Sequence, residues 1–581
     1  MLAIMTTTHQ SEKTQLLNLL WACQDAKGFI SNQDIFDIAA KLDVSAIEVE
    51  GVCTFYHFFH RKPAGKYIIY LNNSILSEFK GYAAVRKALE QATGGRWGGV
   101  DPTGQFGLFD TSCIGLSDQE PAMLINFHPF VRVTPERVYQ LINALRAGAS
   151  LVELADTVED HLRYVPPGER AVFFRDMAPG RALQRLAELS PEQVINEIKE
   201  AHLLGMGGAF FPTADKWKIC RNNPGEKHYL VCNADEGEPG TFKDRVLMNR
   251  LPELLIEGMI IGGYAIGAEE GIIYLRAEYR YLLPRLEAAI ATYRQLGWLG
   301  QLTPSKEPFT FNIHIQLGAG AYVCGEETAL LDSLMGKRGE PWPKVFFPVE
   351  KGYLGQPTSV NNVETLCAAA RIIELGATAF RSIGTPGSPG AKLLSVAGDC
   401  KFPGIYEIEW GMTVGELLGY CGAEDPYFIQ ISGPSGICIP AAEQNRRLCY
   451  EDLICGGSVM IFNSQRDLLQ VMINFTEFFK KESCGVCTPC RAGNFILGRK
   501  LELLKRGLAR PADLEEIRQW GQLLGVASRC GLGKASAHAL INAMQKFPAY
   551  FQQRVRAKGR EKGFDLDRAL GDYREAVEQT S

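Results

Sequence analysis

The stretch YLVCNADEGEPGTFKDR, residues 229–245, passes from an apolar run into a knot of carboxylates within a few residues. A short apolar run bounded by polar residues and glycine reads as a buried strand. Carboxylates at such a strand end can hydrogen-bond sugar or ribityl hydroxyls, or ligate a divalent cation. For Asp235, Glu236 or Glu238 taken singly, a solvated acidic loop is the more frequent case. The pattern recurs in GIIYLRAEY (271–279) and FNIHIQLGAG (311–320), with helix-like segments between. Strands alternating with helices predict a parallel α/β core over about 191–365.

Three further loops border this core. HLLGMGGAFFPTADKW (202–217) is glycine-rich, so its backbone can approach a phosphate through Gly205, Gly207 and Gly208, with the ammonium of Lys216 nearby. It is neither a P-loop nor the usual dinucleotide fingerprint, and alone it reads equally as a tight helix–strand corner. GAGAYVCGEETALLDSLMGKRG (318–339) sets Tyr322, Gly325, Glu326 and Glu327 before a helix, where a carboxylate either meets a ligand or caps the helix. PTSVNNVETL (357–366) offers Asn361 and Asn362, amides that both donate and accept toward a heterocycle.

ESCGVCTPCRAG (482–493) places Cys484, Cys487 and Cys490 three residues apart, and Cys530 follows in ASRCGLGKAS (527–536). Structural zinc usually takes two separated cysteine pairs, whereas three cysteines in one turn plus a distant fourth suit a [4Fe–4S] cubane. Zinc and inert buried thiols are the rival readings. A nucleotide-like pocket beside a cubane implies electron transfer, with a flavin as intermediary because it accepts a hydride and releases electrons singly.

The 581 residues exceed what one core supports and predict several domains. A net charge of −5 and a pI near 6.1 give no footprint for nucleic acid. The start MLAIMTTTHQSEKTQ lacks a secretory pattern, and LLIEGMIIGGYAIGAEE is broken by Glu257 and too short to span a bilayer, so a cytoplasmic protein without membrane contact is expected. Sixteen cysteines then argue for reduced thiols and metal ligation. Residues 11–60 show helical periodicity with Ser31 and Ser45 as candidate caps. The order β-α-β-β-α over 66–147 predicts a thioredoxin-like unit, 148–190 reads as linker, 392–463 as a β-grasp-like module, and the remainder as helices.

Taken together, residues 190–545 resemble the NADH-oxidising flavoprotein subunit of respiratory complex I. The resemblance implies an α/β multidomain chain: an N-terminal helical region (1–62), a thioredoxin-like domain (63–150), a linker (151–190), a Rossmann-like FMN and NAD(H) domain (191–390), a β-grasp, SLBB-like module (391–465) and a C-terminal helical bundle with the iron–sulfur cluster (466–581). It assigns Gly205, Gly207, Gly208, Lys216, Asn233, Asp235, Glu236, Gly325, Glu326, Asn361 and Asn362 to FMN. Glu238, Tyr322, Glu327 and Lys344 would line the dinucleotide side, with Phe211 and Phe347 stacking on adenine and Glu327 orienting the nicotinamide ribose. Cys484, Cys487, Cys490 and Cys530 would hold one [4Fe–4S] cluster. The family loop reads G-R-G-G-A-G-F, so Met206 replaces an arginine and Phe210 a glycine, and neither receives a cofactor role.

The first 150 residues resemble a partner subunit that carries [2Fe–2S] through C-x4-C and C-x3-C. Here Asn72 and Ser77 stand at the first pair and Cys113 and Ser117 at the second, so this domain is expected to lack that cluster. With FYHFFHRKPAGKY and TSCIGLSDQEPAML, the fusion resembles the diaphorase subunits of soluble NAD-reducing nickel–iron hydrogenases. That resemblance implies a hetero-oligomer with an iron–sulfur electron-transfer subunit and nickel–iron hydrogenase subunits as partners. The alternatives are the NADH-linked diaphorase of a formate dehydrogenase and a non-catalytic scaffold.

Overall fold

The computed structural model describes residues 12–176, 178–300, 305–556 and 571. Near the N-terminus, helices Asn32–Leu42 and Ala46–Cys53 begin at Ser31 and Ser45, each closing a reciprocal capping box with Asp34 or Glu48. Strands β1 (Tyr67–Asn72), β2 (Gly99–Val100), β3 (Phe106–Thr111), β4 (Met123–Ile125) and β5 (His128–Phe130) form a sheet ordered β2-β3-β1-β4-β5, with only β1 and β3 parallel. Helices Tyr82–Thr93 and Pro135–Arg146 bury one face of this thioredoxin-like sheet.

The segment expected as a linker is tied down instead. Its strand β6 (Leu162–Tyr164) extends the third sheet, and the N–H groups of Val172, Phe173 and Phe174 all donate to the buried carboxylate of Glu407.

Strands β7 (Tyr229–Ala234), β8 (Glu270–Leu275), β9 (Asn312–Leu317) and β10 (Thr358–Asn362) run parallel in the order β10-β7-β8-β9. The chain steps outward from β7 to β9 and then returns to β7's other edge, so the winding reverses between β7 and β10. In open parallel sheets a crevice forms at such a switch point, outside the carboxyl ends of the strands. The register puts Asn362 beside Asn233 and Asn361 beside Cys232, which brings two separately quoted loops to that crevice.

One face of this sheet is covered by helices Pro252–Ile266 and Val363–Leu375. The apolar run around Glu257 is the first of these, a core helix whose Glu257 accepts from the Tyr293 hydroxyl and the Gly180 N–H. A Cβ at Gly258 would lie 2.2 Å from the Leu366 carbonyl oxygen, so glycine sets how closely the two helices pack. The N-terminal helices cover the other face: Leu17, Leu20 and Trp21 share a core with Val231, Ile272 and Tyr274. They and the parallel sheet therefore fold around one core.

Strands β11 (Ala391–Gly398), β12 (Gly404–Glu409), β13 (Pro426–Ile431), β14 (Ile437–Pro440) and β15 (Ser458–Asn463) complete the third sheet, ordered β14-β13-β15-β11-β12-β6 and packed on helix Val414–Cys421. Helices Leu468–Glu482, Thr488–Lys505, Pro511–Ala527 and His538–Lys546 make the C-terminal bundle. All sixteen cysteines are unbridged, and no described helix is long and apolar enough to cross a membrane.

Candidate functional site

The glycine loop is closed at its base by the Leu204–Pro212 bridge and by Gly205 N–H donating to the Phe211 carbonyl at 2.9 Å. Its backbone presses on the end of β10: a Cβ on Gly207 would stand 3.0 Å from that of Asn362, while Gly208, at φ +107°, has open space before it. Only glycine adopts that backbone without strain. Met206 is buried, and its N–H donates to Thr365 Oγ1 at 2.8 Å. Phe210 occupies the family's glycine position at φ +52°, a conformation that costs a side-chain-bearing residue about 1–2 kcal/mol. Its ring turns away to meet Tyr450 edge-on at 5.4 Å, an aromatic contact of comparable size.

The carboxylates divide by use. Glu236 caps helix Lys243–Arg250, accepting from the N–H groups of Asp244 (2.8 Å) and Arg245 (3.1 Å) and from the Tyr279 hydroxyl. Glu326 caps helix Glu327–Leu334 through the N–H groups of Thr328 and Ala329, the capping alternative open in the sequence. Glu238 accepts from the Tyr322 hydroxyl at 2.5 Å and from Ser435 N–H at 2.8 Å. Glu327 pairs with Lys216 at 3.0 Å, joining a residue assigned to FMN phosphate with one assigned to the dinucleotide; Lys216 also donates to the Val360 carbonyl. Asp235 keeps Oδ2 without a hydrogen-bond partner among the described residues.

Asn233 donates to the Gly325 carbonyl at 2.8 Å, so β7 and the 318–327 loop hold each other. Asn361 accepts from Trp217 Nε1 at 3.0 Å, and Asn362 donates to Asp244 at 2.7 Å. Lys344 and Phe347 stand on an exposed turn, with Phe347 54% exposed. Phe211, 47% exposed, borders the loop itself.

Burial pushes Glu238 up to about 7, against the hydrogen bonds from Tyr322 and Ser435. It does the same for Glu236, also about 7, with Asp244 adding and Lys243 opposing. A carboxyl raised this way keeps its proton in the folded state after the unfolded chain has lost it, so stability falls as pH rises from about 4.5 to 7. Glu238→Gln should flatten part of that decline; equal slopes of thermal midpoint against pH in wild type and variant would refute it.

Beneath the loop lies a charge cluster that no motif announced. Lys243 pairs with Asp244 (2.6 Å) and Glu364 (3.0 Å), and Lys392 from β11 pairs with the same Glu364. Lys392 also donates to the Met206 carbonyl at 3.3 Å, tying the β-grasp module to the glycine loop. All four side chains are buried. Lys243, Asp244 and Arg245 stand inside the opening stretch, where three consecutive charges ordinarily read as solvated.

The cysteines sit behind the 318–327 loop. Tyr322 packs on Phe478 and Phe479 at 4.9 and 6.2 Å, and its N–H donates to Glu482. Cys484, Cys487, Cys490 and Cys530 share one apolar pocket with those rings. Ser483 Oγ lies 3.3 Å and Asn494 Nδ2 3.4 Å from Cys490 Sγ, polar support that sulfur ligands use. A Cβ on Gly533 would come 3.1 Å from that of Cys490, so glycine lets the Cys530 turn close on the other three. Among the described residues no three His, Cys, Asp or Glu side chains gather tightly enough for one ion. Burial raises the Cys484, Cys490 and Cys530 thiols, Cys490 to about 11, so a metal bound there through thiolates would displace protons.

In the thioredoxin-like domain Asn72 donates to Glu120 and accepts from Ser74 N–H at 2.8 Å, while Cys113 Sγ lies 3.4 Å from Ser117 Oγ.

Residues 198–371 match the family described as "Nuo51 FMN-binding domain", 2–146 the "Thioredoxin-like [2Fe-2S] ferredoxin", and 470–554 the "NADH-ubiquinone oxidoreductase-F iron-sulfur binding region". The chain is 48% identical to the NAD-reducing hydrogenase HoxS subunit alpha of Cupriavidus necator, over 98% of this chain and 97% of that one. It is 39% identical to an NADH-quinone oxidoreductase subunit of Aquifex aeolicus, over 64% and 88% respectively. A chain of the NAD+-reducing [NiFe]-hydrogenase, solved in its H2-reduced state, superposes with TM-score 0.87 at 37% identity over 96% of each chain.

Proposed function

This chain belongs to the family of the alpha subunits of NAD-reducing hydrogenases, and from that membership we propose that it is the diaphorase subunit of such an enzyme, an NAD-dependent oxidoreductase. It exchanges hydride reversibly between NAD(H) and FMN and relays single electrons through one [4Fe–4S] cluster to or from hydrogenase partners. The observation that carries this reading is the convergence of the glycine loop, Asn233, Asp235 and Asn362 at the β7/β10 switch point, with Tyr322 bridging from there to the cysteine pocket.

The residues fit both groups. The open backbone at Gly208, the glycine cradle against Asn362 and the free Oδ2 of Asp235 suit an elongated polar cofactor. Bound FMN would supply the step between two-electron and one-electron chemistry. Gly205, Gly207, Gly208 and Lys216 would hold its phosphate, and Asn233, Asp235, Gly325, Asn361 and Asn362 its remainder. Glu236 and Glu326 act by fixing helix ends that frame the crevice. On the dinucleotide side Glu238, Tyr322, Glu327 and Lys344 would orient NAD(H), with Phe211 and Phe347 toward adenine. Orientation supplies most of the rate, and no side chain need act as nucleophile.

We further assign no [2Fe–2S] cluster to the thioredoxin-like domain. Three of its four ligand positions lack a thiolate, and two of those side chains, Asn72 and Ser117, are engaged with protein neighbours. The assembly is placed in the cytoplasm, with an iron–sulfur electron-transfer subunit and the nickel–iron subunits beside this chain; unbridged cysteines accord with a reducing compartment.

The chain reconstituted anaerobically with FMN and iron should show flavin bleaching by NADH. Together with its co-purified partners it should reduce NAD with hydrogen. Failure to take up FMN, or bound FMN that NADH leaves oxidised, would sink the proposal; NAD reduction by formate and not by hydrogen would replace the partner.

A further inference from the structure

Beyond the carboxyl end of β7 lies a cavity of about 1110 Å³ that borders the flavin side through Asp235, the dinucleotide side through Tyr322 and the cysteine pocket through Cys484. Asp235, Arg276 and Glu278 line it from the parallel sheet, Ser74 and Thr111 from the thioredoxin-like domain, and the end of helix Leu468–Glu482 from the bundle. Five buried polar atoms of these lining residues have no hydrogen-bond partner among the described residues: Ser74 Oγ, Thr111 Oγ1, Asp235 Oδ2, Arg276 Nε and Glu278 Oε2. Each such atom costs about 1–3 kcal/mol if left dry. The cavity is roomy and polar enough for ordered water, and Asp235 and Glu278, which both line it, each carry one unpartnered carboxylate oxygen.

Oxidising NADH to NAD+ yields two electrons and one proton. The electrons have an exit through the cysteine pocket, whereas the proton needs a separate carrier, since a cluster passes on electrons alone. We propose that Asp235, Glu278 and the water of this cavity are the proton exit of the flavin site, Asp235 Oδ2 taking the proton released at the flavin and passing it through that water to Glu278 Oε2 and so to solvent. The proposal rests on the flavin reading given above. Arg276 is the positioning residue: it donates to Glu278 Oε1 at 2.7 Å and to the Cys113 carbonyl at 2.8 Å, which leaves Oε2 free. Arg276, Glu278, Glu482, Cys324 and Tyr274 are the titratable and charged groups that face Asp235. Burial pushes the Asp235 carboxyl up to about 8, with Arg276 opposing and Glu278 and Glu482 adding, so it can bind and release a proton near neutrality. Glu482 adjoins the cysteine cluster and is given no part in the transfer.

Glu278→Gln, in the full chain loaded with FMN and cluster, keeps an acceptor for Arg276 but cannot relay a proton. Flavin reduction by NADH should proceed at the wild-type rate. Proton release to an indicator dye on re-oxidation through the cluster should slow by at least about tenfold, and Glu278→Asp should restore it. The redox-difference infrared spectrum should lose a carboxylic-acid carbonyl band present in wild type. Proton release that keeps pace in Glu278→Gln, or an unchanged infrared spectrum, overturns the proposal. If the variant fails to fold, wild type decides: heavy water should slow proton release more than flavin reduction, and equal slowing overturns it. Wild type whose flavin NADH cannot bleach would instead refute the flavin reading, and this inference with it.

Discussion

Cys490→Ala should leave a folded chain whose flavin NADH still bleaches but whose electrons reach a one-electron acceptor at least about a hundredfold more slowly, since losing even a supporting partner of a metal site costs up to that much. Cys490 and Cys530 are the buried members of the quartet, and Ser483 and Asn494 are directed at the Cys490 sulfur. Its removal takes one thiolate from the cluster and leaves two polar groups facing an apolar void. Iron content and the electron paramagnetic resonance of the reduced protein should fall together. Cys530→Ala should do the same, although Cys530 lies forty residues away in sequence, because the Gly533 turn folds it onto Cys490. Cys438→Ala, in a buried thiol of β14, is the control and should retain full iron. Retention of iron by Cys530→Ala, or its loss in the control, would show that the fourth ligand is wrongly assigned.

The second large effect is on stability. Glu364→Gln leaves Lys243 with Asp244 alone and Lys392 with no anion, both deep in the core. Breaking a buried ion pair by removing one partner costs about 3–5 kcal/mol, because the remaining charge is neither paired nor hydrated. Adding Lys392→Met should recover most of the loss, since an apolar replacement of similar volume is often neutral. The pH dependence has a definite sign. Burial works against the charge on Glu364, but Lys243 and Lys392 outweigh it and hold the carboxyl below the ordinary range. Its contribution is therefore complete above the unfolded carboxylate range and is lost as pH falls through the depressed folded value. Denaturant midpoints of the three proteins measure this. A single variant within about 1 kcal/mol of wild type, the ordinary size of a surface change, would mean that the cluster is not the anchor it looks to be. Because Lys392 also holds the Met206 carbonyl, Glu364→Gln should weaken FMN binding as well.

Much of the fold was legible because the signals were local. Ser31 and Ser45 cap helices through bonds made within three residues, and the apolar runs at 229–234, 270–275 and 312–317 pair because their side chains fit a buried parallel sheet. The loops at 202–217, 229–245 and 357–366 were visible one at a time. That they meet follows from β10 returning to the edge of β7, which no single loop encodes. The 151–190 segment read as a linker from its charges and prolines. Glu407, more than 230 residues later, accepts three of its N–H groups and makes it part of the third sheet's surroundings.

Composition and spacing by themselves determined the chemistry that this chain can carry: three cysteines at fixed intervals, glycines where a backbone must come close, and carboxylates at strand ends. These are properties of neighbouring residues and survive in any context that folds. Only the tertiary structure decided how the carboxylates are spent, with Glu236 and Glu326 on helix ends, Glu238 on Tyr322, and Asp235 left with an unpartnered oxygen in a cavity. It also decided that Lys243, Asp244 and Arg245 are buried and that the N-terminal helices close the parallel sheet. The reason is physical: burial and desolvation sum over atoms brought together from distant parts of the chain, and it is that sum, not the residue type, that turns a charge into a cap, a core ion pair or a proton carrier.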